Sequence, residues 1–392
     1  MEEVLIASAA RLPIGRFGGA LKEVSDWDLG TIVIAEALKR AGLQGDEIDE
    51  VIMAHGFRTG DLPANSSRAV ALKAGIPIEK PQFTINKACG GSLRAISLAA
   101  QIIKTGESDI IVAGGMESMS RAAYILPKVR WGSRLGHARL IDQLVLLDPI
   151  SGYSLGETGE NVAELYKISR RDQDGFALLS QKKAERAIKS NKFKEEIIAV
   201  QIPKIGRSPV IFDTDEHPRF GTTLEELSKL NPAFKQNGTI TAGNASGLND
   251  GASAVVVMSR KKAKAMGICP LVSIRSYASV GVDPEIMGIG PIPATQKALE
   301  KAGLELTDID LIELNEAFAS QSLAVIRELG MDMEKVNVNG GAIALGHPIS
   351  ATGCILLTKI IYEMKKRSAQ FGLVTMCIAG GQGIAMIVEN EE

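Results

Sequence analysis

The sequence has little of what several large classes of protein depend on. Aromatic residues make up 4% of its 392 residues, and it has four histidines and four cysteines. The net charge is −2 at pH 7 without a long basic run, so it lacks the stacking surfaces and basic patches that bind nucleic acid. No apolar stretch approaches the roughly 20 residues that span a bilayer. We therefore expect neither nucleic acid nor a membrane as a partner.

The few cysteines also exclude some classes of site. They stand at positions 89, 269, 354 and 377, and no two of them have the spacing of metal ligands, so no metal site is expected. The acidic start, MEE, runs directly into a strand-like segment at 4–9, which is not the pattern of a secretory signal. We expect free thiols in a reducing compartment and a cytoplasmic location.

The chain contains an internal duplication. The run ALKRAGL at 37–43 matches ALEKAGL at 298–304, an offset of 261 residues, and each match is followed by Ile-Asp and a strand-like run. Each copy is typical of a helix with a C-capping glycine, a short loop and a buried strand. Strands and helices alternate in both halves, which predicts an α/β fold with mostly parallel sheets. The predicted strands are 4–9, 51–54, 83–85, 110–113, 311–314, 336–338 and 373–377.

Two domains follow from this pattern. The first, 1–270, contains an insertion at about 119–249 that is rich in glycine, proline and charge, with one strong helical signal at 170–190. The second is 271–392. Long insertions of this kind often carry substrate-binding loops.

Cys89 is the most reactive candidate in the first half. It lies in the run NKACGGS at 86–92, directly before a predicted helix at 93–103. A helix N-terminus carries unsatisfied N–H groups and partial positive charge, which favour the reactive thiolate. The neighbouring glycines would let a substrate carbonyl approach the sulfur. The pattern indicates a nucleophile; the alternative is a small buried residue that fills a turn.

Three polar side chains of the second half follow predicted strands or a glycine-rich loop. Asn315 follows a strand, where ligands bind in α/β sheets, although it could instead cap the next helix. His347 lies in the loop GGAIALGHP at 340–348 and could act as a base or be structural. Cys377 ends a strand at a glycine turn, where it could shuttle a proton or simply be a core cysteine.

Together these motifs resemble those of the thiolase family, the coenzyme A-dependent acetyltransferases, over nearly the whole chain. The motifs that carry the resemblance are NKACGGS at 86–92, GGMESM at 114–119, TAGNASGLNDGA at 241–252, NEAF at 315–318, GHP at 346–348 and CIAGGQG at 377–383. The resemblance implies two similar α/β halves stacked as five layers, α-β-α-β-α, with an inserted loop domain. It also implies a homodimer or homotetramer.

The resemblance implies roles for individual residues. Cys89 would be the nucleophile that is acylated, and His347 would activate it and contribute to an oxyanion hole whose water Asn315 holds. Cys377 would be the general acid/base, and the backbone N–H groups of Cys89 and Ala379 would form a second oxyanion hole. The residues that would meet the substrate are Arg219 and Ser246, along the nucleotide and pantetheine of coenzyme A, and Met287 and Phe318, which match a short-chain pattern.

The activity implied is the reversible condensation of two acetyl-CoA molecules to acetoacetyl-CoA and coenzyme A. Coenzyme A thioesters are then substrates, and no cofactor is required. One alternative is a degradative 3-ketoacyl-CoA thiolase of broader chain length. Another is a non-catalytic acyl-CoA- or lipid-binding protein of the same superfamily. Decarboxylating ketoacyl synthases share the fold, but they typically have a second histidine where this chain has Asn315.

The chain departs from the family pattern at three places. The nucleophile motif commonly has Cys-Gly-Ser-Gly or Cys-Ser-Ser-Gly, where this chain has CGGS at 89–92. A third glycine is common where this chain has Ala379, which matters if that position needs a positive φ. The run YSLG at 153–156 replaces a pattern with His-Met that is common in short-chain members. This last departure bears on acyl-chain preference.

Overall fold

A computed structural model describes residues 2–57, 65–132, 134–145, 147, 150–204 and 207–391. The strands are β1 (Val4–Arg11), β2 (Gly15–Arg16), β3 (Glu50–Ala54), β4 (Gln82–Ile85), β5 (Ile110–Ser118), β6 (Tyr124–Ile125), β7 (Ile141–Asp142), β8 (Val200–Lys204), β9 (Arg207–Phe212), β10 (Asn249–Ser259), β11 (Val272–Gly281), β12 (Leu311–Leu314), β13 (Phe371–Ile378) and β14 (Gln382–Asn390). The α-helices are α1 (Asp26–Ala41), α2 (Ser66–Lys73), α3 (Gly91–Thr105), α4 (Leu155–Leu165), α5 (Arg170–Lys189), α6 (Leu224–Ser228), α7 (Arg260–Met266), α8 (Pro291–Ala302), α9 (Ala319–Leu329), α10 (Ala342–Leu345) and α11 (Thr352–Arg367).

The main sheet is mixed rather than mostly parallel, which corrects the expectation from the alternating pattern. Its strand order is β12-β13-β14-β11-β1-β10-β5-β3-β4, with β2 paired to β10. Only β3 with β4 and β5, and β12 with β13, are parallel pairs. The central pairs are antiparallel because β13 and β14 form a hairpin and because β10 returns to the sheet after the insertion. The predicted strand at 336–338 is reduced to one bridge, between Ile312 and Val336.

Alternating apolar side chains divide the molecule into five layers. Helices α1 and α2 cover one face of the half-sheet that contains β1, β3 and β5. On β14, Ala385 and Ile387 pack toward α8 and α9, whereas Met386 and Val388 pack toward α3 and α11. Helices α3 and α11 therefore form a layer between two parts of the main sheet, the part with β1 and β5 and the part with β13 and β14. The order α-β-α-β-α is the predicted one.

Equivalent contacts recur in the two halves. Helices α1 and α8 end at Gly42 and Gly303, with φ of 69° and 68°, as their sequences predicted. Asp49 accepts hydrogen bonds from the N–H groups that begin β5, and Asp310 accepts those that begin β13, with distances of 2.8–2.9 Å. The two aspartates are 261 residues apart, the offset found in the sequence.

The insertion is fastened to the core by a buried ion-pair cluster. Arg11 on β1 is fully buried and bonds to Asp215 through both terminal nitrogens, at 2.8 and 2.9 Å. Its Nε bonds to Glu196 at 2.8 Å. Because burying a guanidinium is costly unless it is fully paired, this cluster fixes where the insertion docks. The insertion's predicted helix is α5, as expected.

Candidate functional site

Cys89 lies on a short 3₁₀ turn, Ala88–Gly90, that leads directly into α3. Ala88 has a φ of 40°, which is uncommon for a residue with a side chain and fixes the sharp turn before the thiol. A methyl group added to Gly90 would lie 2.4 Å from Ile378, and one added to Gly91 would lie 2.8 Å from Ala54. The two glycines therefore let the start of α3 touch strand ends of both halves.

Burial changes the expected ionisation of Cys89. The side chain lies in the core, and its burial raises the pKa of the thiol to about 11, although the N–H groups of Ala379 and Cys89 itself act in the opposite direction. The N–H groups thus favour the thiolate in the expected direction, but the loss of water outweighs them. In the resting protein Cys89 is a neutral thiol that needs a base.

His347 can supply that base. It follows Gly346, whose φ is 106°, and its backbone N–H donates to Asn249 Oδ1 at 2.9 Å. Burial lowers the pKa of the imidazole to about 4, so the ring is neutral at pH 7. Its Nε2 atom is buried without a hydrogen-bond partner in the described part of the chain.

Thr352 fixes which nitrogen of His347 carries the proton. The threonine Oγ1 lies 2.7 Å from His347 Nδ1 and donates its own proton to the Pro348 carbonyl at 3.0 Å. With its proton used, Oγ1 can only accept from Nδ1–H, which leaves the lone pair on Nε2. Sequence reasoning missed Thr352, although its place five residues after the histidine, at the start of a helix, was a usable signal.

Cys377 lies at the end of β13 and is fully buried. Burial raises the pKa of its thiol well above the usual range, and the neighbouring Cys89 raises it further. The structure thus brings the two thiols close enough to influence each other. Cys377 is held as a neutral thiol, which is the form that can donate a proton.

The backbone around Ala379 points at the nucleophile. The N–H of Ala379 faces the Cys89 sulfur, as does the N–H of Cys89. The positive φ angles of this turn, 84° and 78°, belong to Gly380 and Gly381, and Ala379 has a negative φ. An alanine therefore fits where the family commonly has glycine, without strain.

A cavity of about 330 Å³ brings most of the predicted residues together. Its lining includes Cys89, His347, Cys377, Ser246, Met287 and Phe318. Asn315 is fully buried outside this lining, and neither atom of its amide has a partner among the described residues. Arg219 lines a second cavity of about 330 Å³, together with His217 and Gln181.

In the described ranges, no cluster of His, Cys, Asp and Glu could hold a metal ion. In the same residues, no helix is long and apolar enough to cross a membrane. A five-layer α/β fold with two thiols and a neutral imidazole around one cavity defines an enzyme of the acyltransferase class.

The comparisons with known proteins are specific. The thiolase N-terminal domain matches residues 4–261, and the thiolase C-terminal domain matches residues 268–390. An acetyl-CoA acetyltransferase of Syntrophomonas wolfei is 54% identical over 394 aligned residues, covering 99% of each chain. The crystal structure of the Bacillus anthracis acetyl-CoA acetyltransferase is similar with a TM-score of 0.97 at 47% identity, covering 100% of this chain and 99% of that one.

A human mitochondrial 3-ketoacyl-CoA thiolase, solved in complex with CoA, is also similar. It has a TM-score of 0.97 at 41% identity, and the alignment covers 100% of this chain and 98% of that one. The chain belongs to the thiolase family.

Proposed function

We propose that the chain is an acetyl-CoA acetyltransferase that interconverts two acetyl-CoA with acetoacetyl-CoA and coenzyme A through an acyl thioester on Cys89. The single observation that carries this proposal is the shared cavity, which Cys89, Cys377 and a neutral His347 all line. Relatives of the same length named acetyl-CoA acetyltransferase support the same activity.

The thiolysis direction follows from the resting protonation states. His347 Nε2 accepts the proton of Cys89 as the sulfur attacks the ketone carbon of acetoacetyl-CoA. The backbone N–H groups of Cys89 and Ala379 stabilise negative charge that develops on an acyl oxygen held beside that sulfur. Because the pKa of Cys89 is raised and that of His347 is lowered, we expect proton transfer to accompany the attack rather than precede it.

Cys377 then completes the carbon chemistry. The bond between C2 and C3 breaks, and the resulting enolate takes the proton of the Cys377 thiol, which releases acetyl-CoA and leaves a thiolate. That thiolate takes the proton of the incoming coenzyme A, whose sulfur attacks acetyl-Cys89. The Cys89 sulfur leaves and recovers its proton from His347. Condensation is the same sequence in reverse.

The remaining residues have proposed binding roles. Asn315 would hold a water in the His347 oxyanion hole, because its amide is buried with no described partner. Ser246 would contact pantetheine in the Cys89 cavity, and Arg219 the nucleotide end of coenzyme A in the second cavity. Met287 and Phe318 pack with Cys377 and would limit the acyl group.

The proposal is tested by thiolysis of acetoacetyl-CoA and 3-ketooctanoyl-CoA with free coenzyme A. We expect turnover of the short substrate, and a loss of about 10⁴-fold or more in Cys89→Ala. Cys354→Ala is the matched control, since Cys354 is a buried thiol of α11 outside the cavity lining. Equal turnover of both substrates would indicate a broad degradative thiolase, and binding without turnover would indicate a non-catalytic protein.

We also propose the two-domain division at 270/271, a cytoplasmic location and self-association as a homodimer or homotetramer. The segment at 124–147 supports self-association, because several of its described apolar side chains are exposed, including Trp131 at 85% and Leu135 at 99%. Sedimentation analysis of the wild type and Trp131→Asp tests it, and a wild-type monomer would contradict it.

A further inference from the structure

The motif GGMESM at 114–119 contains a buried carboxylate to which the reaction assigns no role. Glu117 lies near the end of β5 and is fully buried. Its Oε1 accepts the N–H of Phe57 at 3.0 Å, and its Oε2 accepts those of Gly56 and Ser350, each at 3.2 Å. One carboxylate thus joins two backbone segments that are distant in sequence.

Both of these segments border the nucleophile. Gly56 and Phe57 follow β3 and line a cavity of about 260 Å³ that also contains Cys89. Ser350 belongs to the 3₁₀ turn Ile349–Ala351, which starts two residues after His347. Glu117 therefore ties a wall contributed by the first half to the segment of the second half that carries the catalytic base.

Glycines permit these close approaches. A methyl group added to Gly56 would lie 2.6 Å from Glu117 Oε2. One added to Gly115 would lie 2.3 Å from the Ser350 carbonyl oxygen, and Gly115 is on the same face of β5 as Glu117. The backbone is thus shaped on both sides to reach this carboxylate.

No lysine or arginine nitrogen in the described ranges lies within 4 Å of the Glu117 oxygens. The titratable groups that face it are His55, whose Nε2 is 3.8 Å from Oε1, Asp26 of α1 and the Cys89 thiol. Asp250 lies on the paired strand β10. Burial raises the pKa of Glu117, and the neighbouring His55 and the N–H of Phe57 act in the opposite direction.

We propose that Glu117 is a positioning residue for acyl transfer, whose carboxyl group fixes the backbone at Gly56–Phe57 and at Ser350 around Cys89. This role rests on the proposed function for its effect on turnover. Its effect on the thiol does not, because alkylation of Cys89 needs no substrate.

The test reads the thiol and the reaction separately. Glu117→Gln exchanges one acceptor oxygen for an NH2 group that cannot accept, and we expect the rate of alkylation of Cys89 by iodoacetamide to change by about threefold or more, because the backbone around the thiol is no longer fixed. Glu117→Asp keeps the carboxyl group but withdraws its oxygens from the three N–H groups. We expect both variants to lose about tenfold or more in kcat for acetoacetyl-CoA thiolysis, with a smaller change in KM.

The matched control is Glu160→Gln. Glu160 is also buried and accepts the backbone N–H groups of Thr239 and Ile240, but neither of these residues lines a cavity that contains Cys89. If Glu117→Gln fails to fold, Gly56→Ala disturbs the same contact while keeping the carboxylate, and we expect the same loss in kcat. An unchanged alkylation rate in Glu117→Gln, or an unchanged kcat in Glu117→Asp or Gly56→Ala, would overturn the proposal.

Discussion

Replacing Thr352 with valine should impair the base proposed at His347, although the histidine itself is unchanged. The substitution removes the oxygen that accepts the His347 Nδ1 proton at 2.7 Å, in a site where the threonine is 2% exposed. The proton then either stays on Nδ1 without a partner or moves to Nε2, where it blocks the lone pair. Both outcomes raise the free energy of the reactive tautomer, which has its proton on Nδ1 and its lone pair on Nε2.

The magnitude follows from the lost hydrogen bond. A buried donor left unsatisfied costs about 1–3 kcal/mol, and each 1.36 kcal/mol is a factor of ten in rate. We therefore expect kcat/KM for thiolysis of acetoacetyl-CoA to fall by about 5- to 150-fold, measured from the loss of ketoacyl thioester absorbance. The reaction should remain faster than in Cys89→Ala, because the nucleophile is intact.

Two further variants decide the cause of this loss. Thr352→Ser retains the hydroxyl and should retain most activity. Thr358→Val removes a buried hydroxyl of the same helix that bonds to Ser253, and it controls for weakening of α11. Wild-type kcat/KM in Thr352→Val would refute the assignment of the tautomer, and an equal loss in Thr358→Val would assign the effect to helix stability.

Three other predictions follow. Cys377→Ala should lose condensation and should form acetyl-Cys89 from labelled acetyl-CoA more slowly, because Cys377 exchanges protons in both steps; condensation at the wild-type rate would contradict its role. Because the pKa of His347 is lowered to about 4, the acid limb of kcat/KM should lie nearer pH 4 than pH 6.5, and a limb at 6.5 would contradict a buried neutral base. Lys359→Met should destabilise the fold by about 3–5 kcal/mol above pH 7, since it leaves Glu313 unpaired. Burial raises the pKa of Glu313 to about 7, so folding favours its protonated form, and the stabilisation that this form gives is lost as pH rises from 4.5 to 7. Chemical denaturation should therefore show a smaller loss of stability in Lys359→Met at pH 5 than above pH 7.

The sequence predicts those parts of the fold that depend on local patterns. The capped helices that end at Gly42 and Gly303 match their predictions because an αL glycine after an apolar stripe is a local signal. The internal offset of 261 predicted the two halves. Antiparallel pairing in the centre of the sheet was not predicted, since β10 joins it only after the long insertion.

In the candidate site too, local motifs could be read from the sequence, whereas properties of the folded chain could not. Motifs indicated Cys89 and His347, and the structure places both in one cavity. The raised pKa of Cys89 could not be predicted, because it depends on how much water the folded chain excludes. The contacts of Glu117 could not be predicted either, because Phe57 and Ser350, which supply them, are 60 and 233 positions away in the sequence.

The shared helix layer constrains how the two halves can diverge. A methyl group added to Gly353 on α11 would lie 2.7 Å from both the Cβ and the backbone nitrogen of Leu93 on α3, so the two helices are in close contact there. Cys89 precedes one of these helices and His347 precedes the other. A mutation on one helix face that shifts either helix therefore alters the distance between nucleophile and base. A substitution in the core at this contact should therefore change turnover as well as stability, although neither Leu93 nor Gly353 lines the cavity.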